Sequence, residues 1–170
     1  MKQFIILTLA ALALTACAPR NPGAELGPDG QPIPVAYTIN AAEAAAIPDR
    51  VLGQINTLRA GSGAVPLRLD PGLAAAAAAH SRDMAAQNRA WHFGSDGSSP
   101  LDRARRAGYA GQLVGENISE SYENDVATLQ AWMQARDTRD VIMDPSATAL
   151  GVAWYQEPSR KIWWTLVTGK

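Results

Sequence analysis

The chain has 170 residues, of which 15 are lysine or arginine, 16 are aspartate or glutamate and one is cysteine. Its net charge of −1 lacks the basic excess typical of nucleic-acid binders, so we expect no nucleic-acid partner. With 47% hydrophobic and 18% charged residues, the composition predicts a globular protein rather than a disordered one. A single thiol excludes an intramolecular disulfide and a multi-cysteine zinc site.

The amino-terminal residues have the three parts of a secretory signal peptide. Lys2 precedes an uncharged, mostly apolar run over residues 4–16, which is too short to span a bilayer. The run ends in two small residues before Cys17, a pattern that resembles the bacterial lipobox, in which the thiol receives a diacylglyceryl group. We therefore predict a lipoprotein signal peptide at residues 1–16 and a lipid anchor on Cys17, facing the periplasm or the exterior. Ala18 lacks the acidic character of an inner-membrane retention signal, which favours the outer membrane. The alternative is an ordinary signal peptide cut next to Cys17.

A linker is predicted to follow the anchor. Residues 18–37 hold five of the 11 prolines together with three glycines. We assign residues 17–39 to the lipidated cysteine and its linker, and residues 40–170 to the folded domain. The alternative for residues 33–37 is an irregular strand packed on the domain.

The first half of the domain predicts helices. Four apolar residues recur at spacings of four, four and three and predict a helix that stops at Gly61: Ile47, Val51, Ile55 and Leu58. A second, alanine-rich helix is predicted from the N-cap Asp70 and Pro71 to about residue 88. Its inner face would carry Leu73, Ala77, His80 and Met84. A loop at residues 94–100 and a short helix at 101–107 follow.

The second half predicts mainly strands. We expect strands at residues 113–119, 148–156 and 161–168, with a helix at 124–136 between the first two. Neighbouring Trp163 and Trp164 must point to opposite faces of their strand. A sheet with large apolar residues on both faces needs a cover on each side, so we predict an α/β fold with helices in both outer layers.

Seven short motifs follow one another in an order that resembles the bacterial branch of the CAP superfamily, which includes cysteine-rich secretory proteins, insect antigen 5 and plant pathogenesis-related 1 proteins. The motifs are AHSRDMA at 79–85, WHFG at 91–94, DRARRAGY at 102–109, GENI at 115–118, WM at 132–133, GV at 151–152 and WT at 164–165. The resemblance covers about residues 47–169. It implies a three-layer α-β-α sandwich with a small, mainly antiparallel central sheet and a central cleft.

In typical members of that family, two histidines and up to two glutamates line the cleft and can hold a divalent metal. Carried over by position, the resemblance places His92 and Glu116 in this cleft. Thr138 falls where the second histidine would lie, and Ala135 where the second glutamate would lie. One imidazole and one carboxylate are too few ligands for zinc, and a threonine hydroxyl is a poor one. We therefore predict a candidate cleft at His92, Glu116 and Thr138 without a tight metal site and without a cofactor.

Three further groups have simpler interpretations. His80 is expected to be a structural histidine of the helix interior. Arg103, Arg105 and Arg106 are expected to form a solvated helix face. Asp96 before Gly97 offers too few oxygen ligands for calcium.

Three functions remain open from the sequence. The first is an envelope-tethered, non-catalytic binding module whose cleft takes a lipid, peptide or cell-wall fragment; because family members have been associated with sterol and lipid binding, an apolar ligand is favoured. The second is a hydrolase that uses His92 and Glu116 with a bound water. The third is a structural or adhesive envelope protein. No Gly-x-Ser-x-Gly and no His-Glu-x-x-His occurs in the sequence, so we expect no enzymatic activity.

Overall fold

The computed structural model describes residues 37–170. The predicted signal peptide, Cys17 and the linker up to residue 36 therefore lie outside the described residues. Residues 37–39, which we assigned to the end of the linker, are hydrogen-bonded to the folded domain. The Gln156 side chain donates to the carbonyl oxygen of Tyr37 at 2.7 Å and accepts from the backbone N–H of Ile39 at 2.9 Å. Since residues 36–170 form a compact unit with all the elements below, we expect this segment to fold independently.

Five helices and four strands follow one another along residues 37–170. They are α1 (Ala41–Gly61), β1 (Arg68–Leu69), α2 (Pro71–Gln87), α3 (Pro100–Arg106), β2 (Leu113–Ser121), α4 (Asp125–Gln134), α5 (Arg136–Met143), β3 (Ala149–Gln156) and β4 (Ile162–Gly169). None of these helices is long and apolar enough to cross a membrane.

The strands form one sheet in the order β1-β3-β4-β2. β1 runs parallel to β3, whereas β3 pairs antiparallel with β4 and β4 pairs antiparallel with β2. The predicted mainly antiparallel sheet is confirmed; the two-residue β1 is too short to give a sequence signal.

Helices cover both faces of this sheet. Trp164 lies in the larger core, with residues of α1, α4 and α5, whereas Val167 lies in a smaller core with Leu73 of α2 and Ala104 of α3. Trp163 and Trp164 are both fully buried, as side chains on opposite faces of a strand covered on each side must be. The predicted three-layer sandwich is therefore confirmed.

Capping residues determine where α2 and α3 begin. The Asp70 side chain accepts the N–H of Leu73 at 2.9 Å, with Pro71 at the first helical position. Ser99 and Asp102 form a reciprocal capping box at the start of α3.

Two predictions about the helices were wrong. The predicted helix 124–136 ends at Gln134, because Ala135 is extended and α5 begins directly after it. Leu58, expected on the inner face of α1, is 42% exposed, and Arg59 is buried in its place. The Arg59 guanidinium donates to four backbone carbonyls, which lie after α1, in the last turn of α5 and after α5: Val65, Ile142, Asp144 and Ala147.

Gly151 allows α2 to lie unusually close to β3. A Cβ atom at Gly151 would be 2.2 Å from the backbone carbon of Leu73 and 2.3 Å from the nitrogen of Ala74. Backbone atoms cannot move aside as the end of a side chain can, so only glycine permits this contact.

We expect Gly151→Ala to lower the free energy of unfolding by about 2 kcal/mol or more, because α2 must move away from the sheet. Gly53→Ala is the matched control: Gly53 lies in α1 with nothing within 4 Å of an added Cβ, so alanine should stabilise the helix slightly. Urea unfolding of residues 36–170 measures both. Equal effects of the two substitutions would contradict the tight contact.

Candidate functional site

Glu116 lies at the centre of the candidate site. It is a residue of the edge strand β2 and is paired with Val167 of β4, so its side chain points to the sheet face that α2 and α3 cover. The carboxylate side chain is only 3% exposed. A buried carboxylate needs compensating partners, and three basic side chains surround this one.

Arg103 of α3 is the strongest of these partners. Its Nη2 donates to Oε2 of Glu116 at 2.8 Å and to Oε1 at 3.0 Å. The same guanidinium donates to the carbonyls of His92 at 3.0 Å and Ser98 at 2.9 Å. Its side chain is 7% exposed, so the expectation of a solvated face was wrong for Arg103.

The helical period accounts for this error. Residues advance about 100° each around a helix, so Arg103 and Arg105 point in nearly opposite directions. Three arginines within four positions of α3 cannot all face solvent when the helix packs on a sheet. The spacing of these arginines in the sequence therefore indicates that one of them faces the protein interior.

His92 is the second partner. Its Nδ1 lies 3.0 Å from Oε1 of Glu116, and because an ionised carboxylate only accepts hydrogen bonds, Nδ1 carries the proton. The His92 side chain is 52% exposed. In the neutral ring, Nε2 is therefore an unprotonated nitrogen on the solvent side. The structure brings His92 and Glu116 together.

His80 is the third partner and is fully buried in α2. Its Nε2 donates to the Trp91 carbonyl at 2.9 Å and lies 3.7 Å from Oε1 of Glu116. Burial, and to a lesser degree the charge of Arg103, lowers the pKa of His80, against the opposing effect of Glu116. Its other ring nitrogen, Nδ1, is buried and has no partner among residues 37–170. The structural role expected for His80 agrees with this burial, since it fixes the segment that carries Trp91.

Thr138 makes no hydrogen bond with either His92 or Glu116. Its hydroxyl donates to the carbonyl of Trp132 at 2.6 Å, and its own carbonyl accepts from the Asn117 side chain at 2.8 Å. Asn117 follows Glu116 on β2 and therefore points to the opposite face of the sheet. Thr138 thus helps to attach α5 to the sheet.

The Glu116 cluster, comprising Glu116, Arg103, His92 and His80, has limited chemical capacity. Glu116 orients the imidazole of His92 and leaves its Nε2 accessible, as a general base requires. However, the carboxylate is already paired with a guanidinium, which reduces the support that it can give to an imidazolium. No serine, threonine or cysteine side chain within residues 37–170 is hydrogen-bonded to His92.

Two open spaces lie between helices, one away from the Glu116 cluster and one that shares Arg103 with it. The α1–α4 groove, about 520 Å³, is lined by Gln54, Thr57, Leu58, Leu129, Gln130, Met133 and Gln134. The α2–α3 cavity, about 500 Å³, is lined by Ala75, Ala76, Ala79, Asp83, Ser95, Asp96, Ser98, Arg103, Arg106 and Ala107. The sequence analysis found neither, because each depends on how two helices pack. Asp96 accepts hydrogen bonds from Ser98 and Arg106 and its pKa is lowered by them, so it serves the loop as a structural carboxylate.

The fold and the order of these residues define the class of the protein. The family described as "CAP: Cysteine-rich secretory protein family" matches residues 52–168. The chain belongs to this family, as its motifs indicated.

Two proteins of Bacillus subtilis are similar to this chain in sequence. The uncharacterized protein YkwD of Bacillus subtilis is 31% identical over 121 residues, which are 71% of this chain and 46% of YkwD. The uncharacterized membrane protein YlbC of the same organism is 29% identical over 103 residues, 61% of this chain and 30% of YlbC. The chain thus spans less than half the length of these curated relatives.

Solved structures support the fold. An extracellular protein containing an SCP domain from Bacillus anthracis superposes with a TM-score of 0.65 at 27% identity, over 79% of this chain and 45% of that one. An outer surface protein from Borrelia burgdorferi superposes with a TM-score of 0.69 at 15% identity, over 80% of this chain and 98% of that one.

The residues present do not fit the divalent metal that the family implies. Arg103 occupies both oxygens of Glu116, and a guanidinium beside a ligand would repel a divalent cation. The Nε2 atom of His80 is engaged by a backbone carbonyl, and Thr138 lies outside the cluster. Within residues 37–170 no three His, Cys, Asp or Glu side chains are grouped for metal binding.

The buried His80 should make the stability of the protein depend on pH. Its folded-state pKa lies below the unfolded value of about 6.5, so the unfolded chain binds the proton more readily. The stability that neutral His80 contributes is fully present above that pH and is lost as the pH falls through the folded-state pKa.

We therefore expect the free energy of unfolding of residues 36–170 to decrease between pH 7.5 and 5, and to decrease less in His80→Gln. Glutamine retains a donor for the Trp91 carbonyl but does not titrate. His92→Gln is the control, because it also removes a histidine, but one that is half exposed rather than buried. An identical pH slope in wild type and His80→Gln, measured by urea unfolding, would refute the assignment.

Proposed function

We propose that this protein is a membrane-tethered, non-catalytic binding module of the cell envelope, and that its ligand is an acyl chain held in the α1–α4 groove. The observation that carries the proposal is the uncharged, largely apolar lining of that groove. Family membership supports it, because the resemblance already favoured an apolar ligand.

The groove has the size and chemistry of a ligand site. Its volume lies within the 300–1,000 Å³ range that is common for small-molecule pockets. Leu58, Leu129 and Met133 supply its apolar surface, and its polar lining consists only of amides and one hydroxyl. A charged ligand would find no oppositely charged side chain in this lining. A hydrocarbon chain would instead cover Leu58, which is exposed in the structure.

The state of the Glu116 cluster supports a non-catalytic role. Arg103 compensates the only carboxylate that could activate His92, and the cluster lacks a hydrogen-bonded nucleophile within the described residues. The arrangement is that of a structural ion pair with an exposed histidine at its edge.

Location in the envelope is supported by the predicted lipobox and by the known proteins. The structural neighbours from Bacillus anthracis and Borrelia burgdorferi are described as extracellular and as an outer surface protein, and YlbC is described as a membrane protein. We propose that a lipid on Cys17 holds this domain to the membrane, with the outer membrane favoured by Ala18.

The hydrolase remains the second candidate, because the Nδ1 atom of His92 is fixed by Glu116 and its Nε2 is accessible. A water activated by Nε2 would be the nucleophile. This candidate places function in the Glu116 cluster, whereas the binding module places it in the groove, so substitutions in the two regions distinguish them.

We expect Leu58→Glu to weaken binding of a fluorescent fatty acid by about 2 kcal/mol, or roughly thirtyfold in Kd, because it places a charge against the hydrocarbon chain. Fluorescence titration of residues 36–170 with cis-parinaric acid measures the affinity. Val65→Glu is the matched control, since Val65 is also an exposed apolar residue but lies outside the groove.

Three further results would decide between the candidates. Unchanged fatty-acid binding in Leu58→Glu would refute the groove. Ester or peptide hydrolysis that is lost in His92→Ala but kept in Leu58→Glu would establish the hydrolase. An empty groove without hydrolysis would favour a structural or adhesive role.

The tether is tested separately with Cys17→Ser. Cys17 is the only thiol of the chain, so any thioether-linked lipid must be attached there. We expect the wild-type protein to incorporate labelled palmitate and to sediment with membranes in a bacterial host, and the variant to do neither. Membrane sedimentation of the variant at the wild-type level would contradict the tether but leave the groove assignment untouched.

A further inference from the structure

We propose that the α2–α3 cavity is a second binding site, which takes the amino-terminal residue of a peptide through its ammonium group. This inference is independent of the acyl-chain site, because the α1–α4 groove lies in the other helical layer of the sandwich. It rests on the shape of the cavity, on a carboxylate that lacks a cationic partner and on the exposed N–H groups of an arginine.

Alanine methyl groups form the apolar part of the cavity. Ala75, Ala76 and Ala79 line it from α2, and Ala107 lines it from the end of α3. With such short side chains, the two helices leave about 500 Å³ between them. A small apolar side chain fits against this surface, whereas a polar one would lose its hydration without gaining partners.

The loop at residues 94–98 closes one end of the cavity and is held from both sides. Asp83 of α2 accepts hydrogen bonds from the backbone N–H of Ser95 at 2.7 Å and from its hydroxyl at 2.6 Å. Arg106 of α3 binds the carboxylate of Asp96 at 2.6 Å. Since Ser95 and Asp96 are adjacent, the Asp83 carboxylate and the Arg106 guanidinium lie close to one another at this end of the cavity.

One of the two carboxylates that line the cavity, Asp83, forms no ion pair within residues 37–170. Asp96 is paired with Arg106, and Arg103 is paired with Glu116. Asp83 has only neutral partners, the two groups of Ser95 and the Gln87 amide at 3.0 Å, and no cation among residues 37–170 lies within 4.0 Å of it. Asp83 is therefore a carboxylate of the cavity lining without a cationic partner among residues 37–170, and an ammonium group would pair with it in a charge-assisted hydrogen bond.

The cavity also has hydrogen-bond donors available for an oxygen of the ligand. Arg106 has five N–H groups, of which one binds Asp96, and its side chain is 59% exposed.

These features together specify an ammonium group, a nearby carbonyl oxygen and a small apolar side chain. A peptide amino terminus with alanine as its first residue contains all three within a few bonds. A free carboxylate would add a third negative charge beside Asp83 and Asp96, so a peptide or amide suits the cavity better than a free amino acid.

The test is isothermal titration of residues 36–170 with Ala-Ala-Ala amide, its N-acetylated form and alanine amide. We expect the free tripeptide to bind, and acetylation to weaken binding about tenfold or more because the ammonium group is lost. Asp83→Asn should cause a similar loss, since asparagine keeps an oxygen for Ser95 but carries no charge. Asp140→Asn is the matched control, an exposed carboxylate on α5 that is paired with Arg136.

A second variant guards against an indirect effect of Asp83 on the loop. Ala79→Phe should block the cavity while leaving every charge in place, and circular dichroism establishes whether each variant is folded. The proposal is overturned if the acetylated peptide binds as well as the free one, if folded Asp83→Asn and Ala79→Phe keep wild-type affinity, or if the wild type does not bind at millimolar peptide. Alanine amide binding as tightly as the tripeptide would overturn the peptide assignment in favour of a small amine.

Discussion

The buried ion pair between Arg103 and Glu116 determines how three parts of the protein fit together. It joins α3 to the edge strand β2, and the same guanidinium binds the carbonyls of His92 and Ser98 in the connection between α2 and α3. Apolar contacts between α3 and the sheet are few, and Ala104 is its only apolar residue in the smaller core. Geometry in this region therefore depends on directional bonds to charged groups, which become much stronger away from water.

That dependence also explains why the exposed segment around His92 is well positioned. His80 donates a hydrogen bond to the carbonyl of Trp91, and Arg103 donates one to the carbonyl of His92, the next residue along the chain. Two consecutive backbone groups are thus held by side chains from two different helices. The exposed ring of His92 is placed by buried residues, although no element of secondary structure contains it.

The layers and most elements were predictable from the sequence because they follow from local chemistry. Caps such as Asp70 act within one turn, and the alternation of Trp163 and Trp164 depends only on the period of a strand. Arg59 and Arg103 escaped prediction because a buried arginine is compensated by groups that are distant in sequence, such as the carbonyl of Ala147 or the carboxylate of Glu116. The contacts of Thr138 were not predictable either, because an alignment by motif order does not show on which side of the sheet α5 packs.

The side chain of Gln156 gives the domain a mechanical property. Its amide holds the carbonyl of Tyr37 and the N–H of Ile39, and Tyr37 also donates its own N–H to the carbonyl of Tyr122. A force applied through the preceding chain would reach the end of β3 and the end of β2 before it reached the first turn of α1. These bonds lie across two elements of the sheet, so the load would be shared between them, and α1 would be protected from being peeled away from its amino-terminal end.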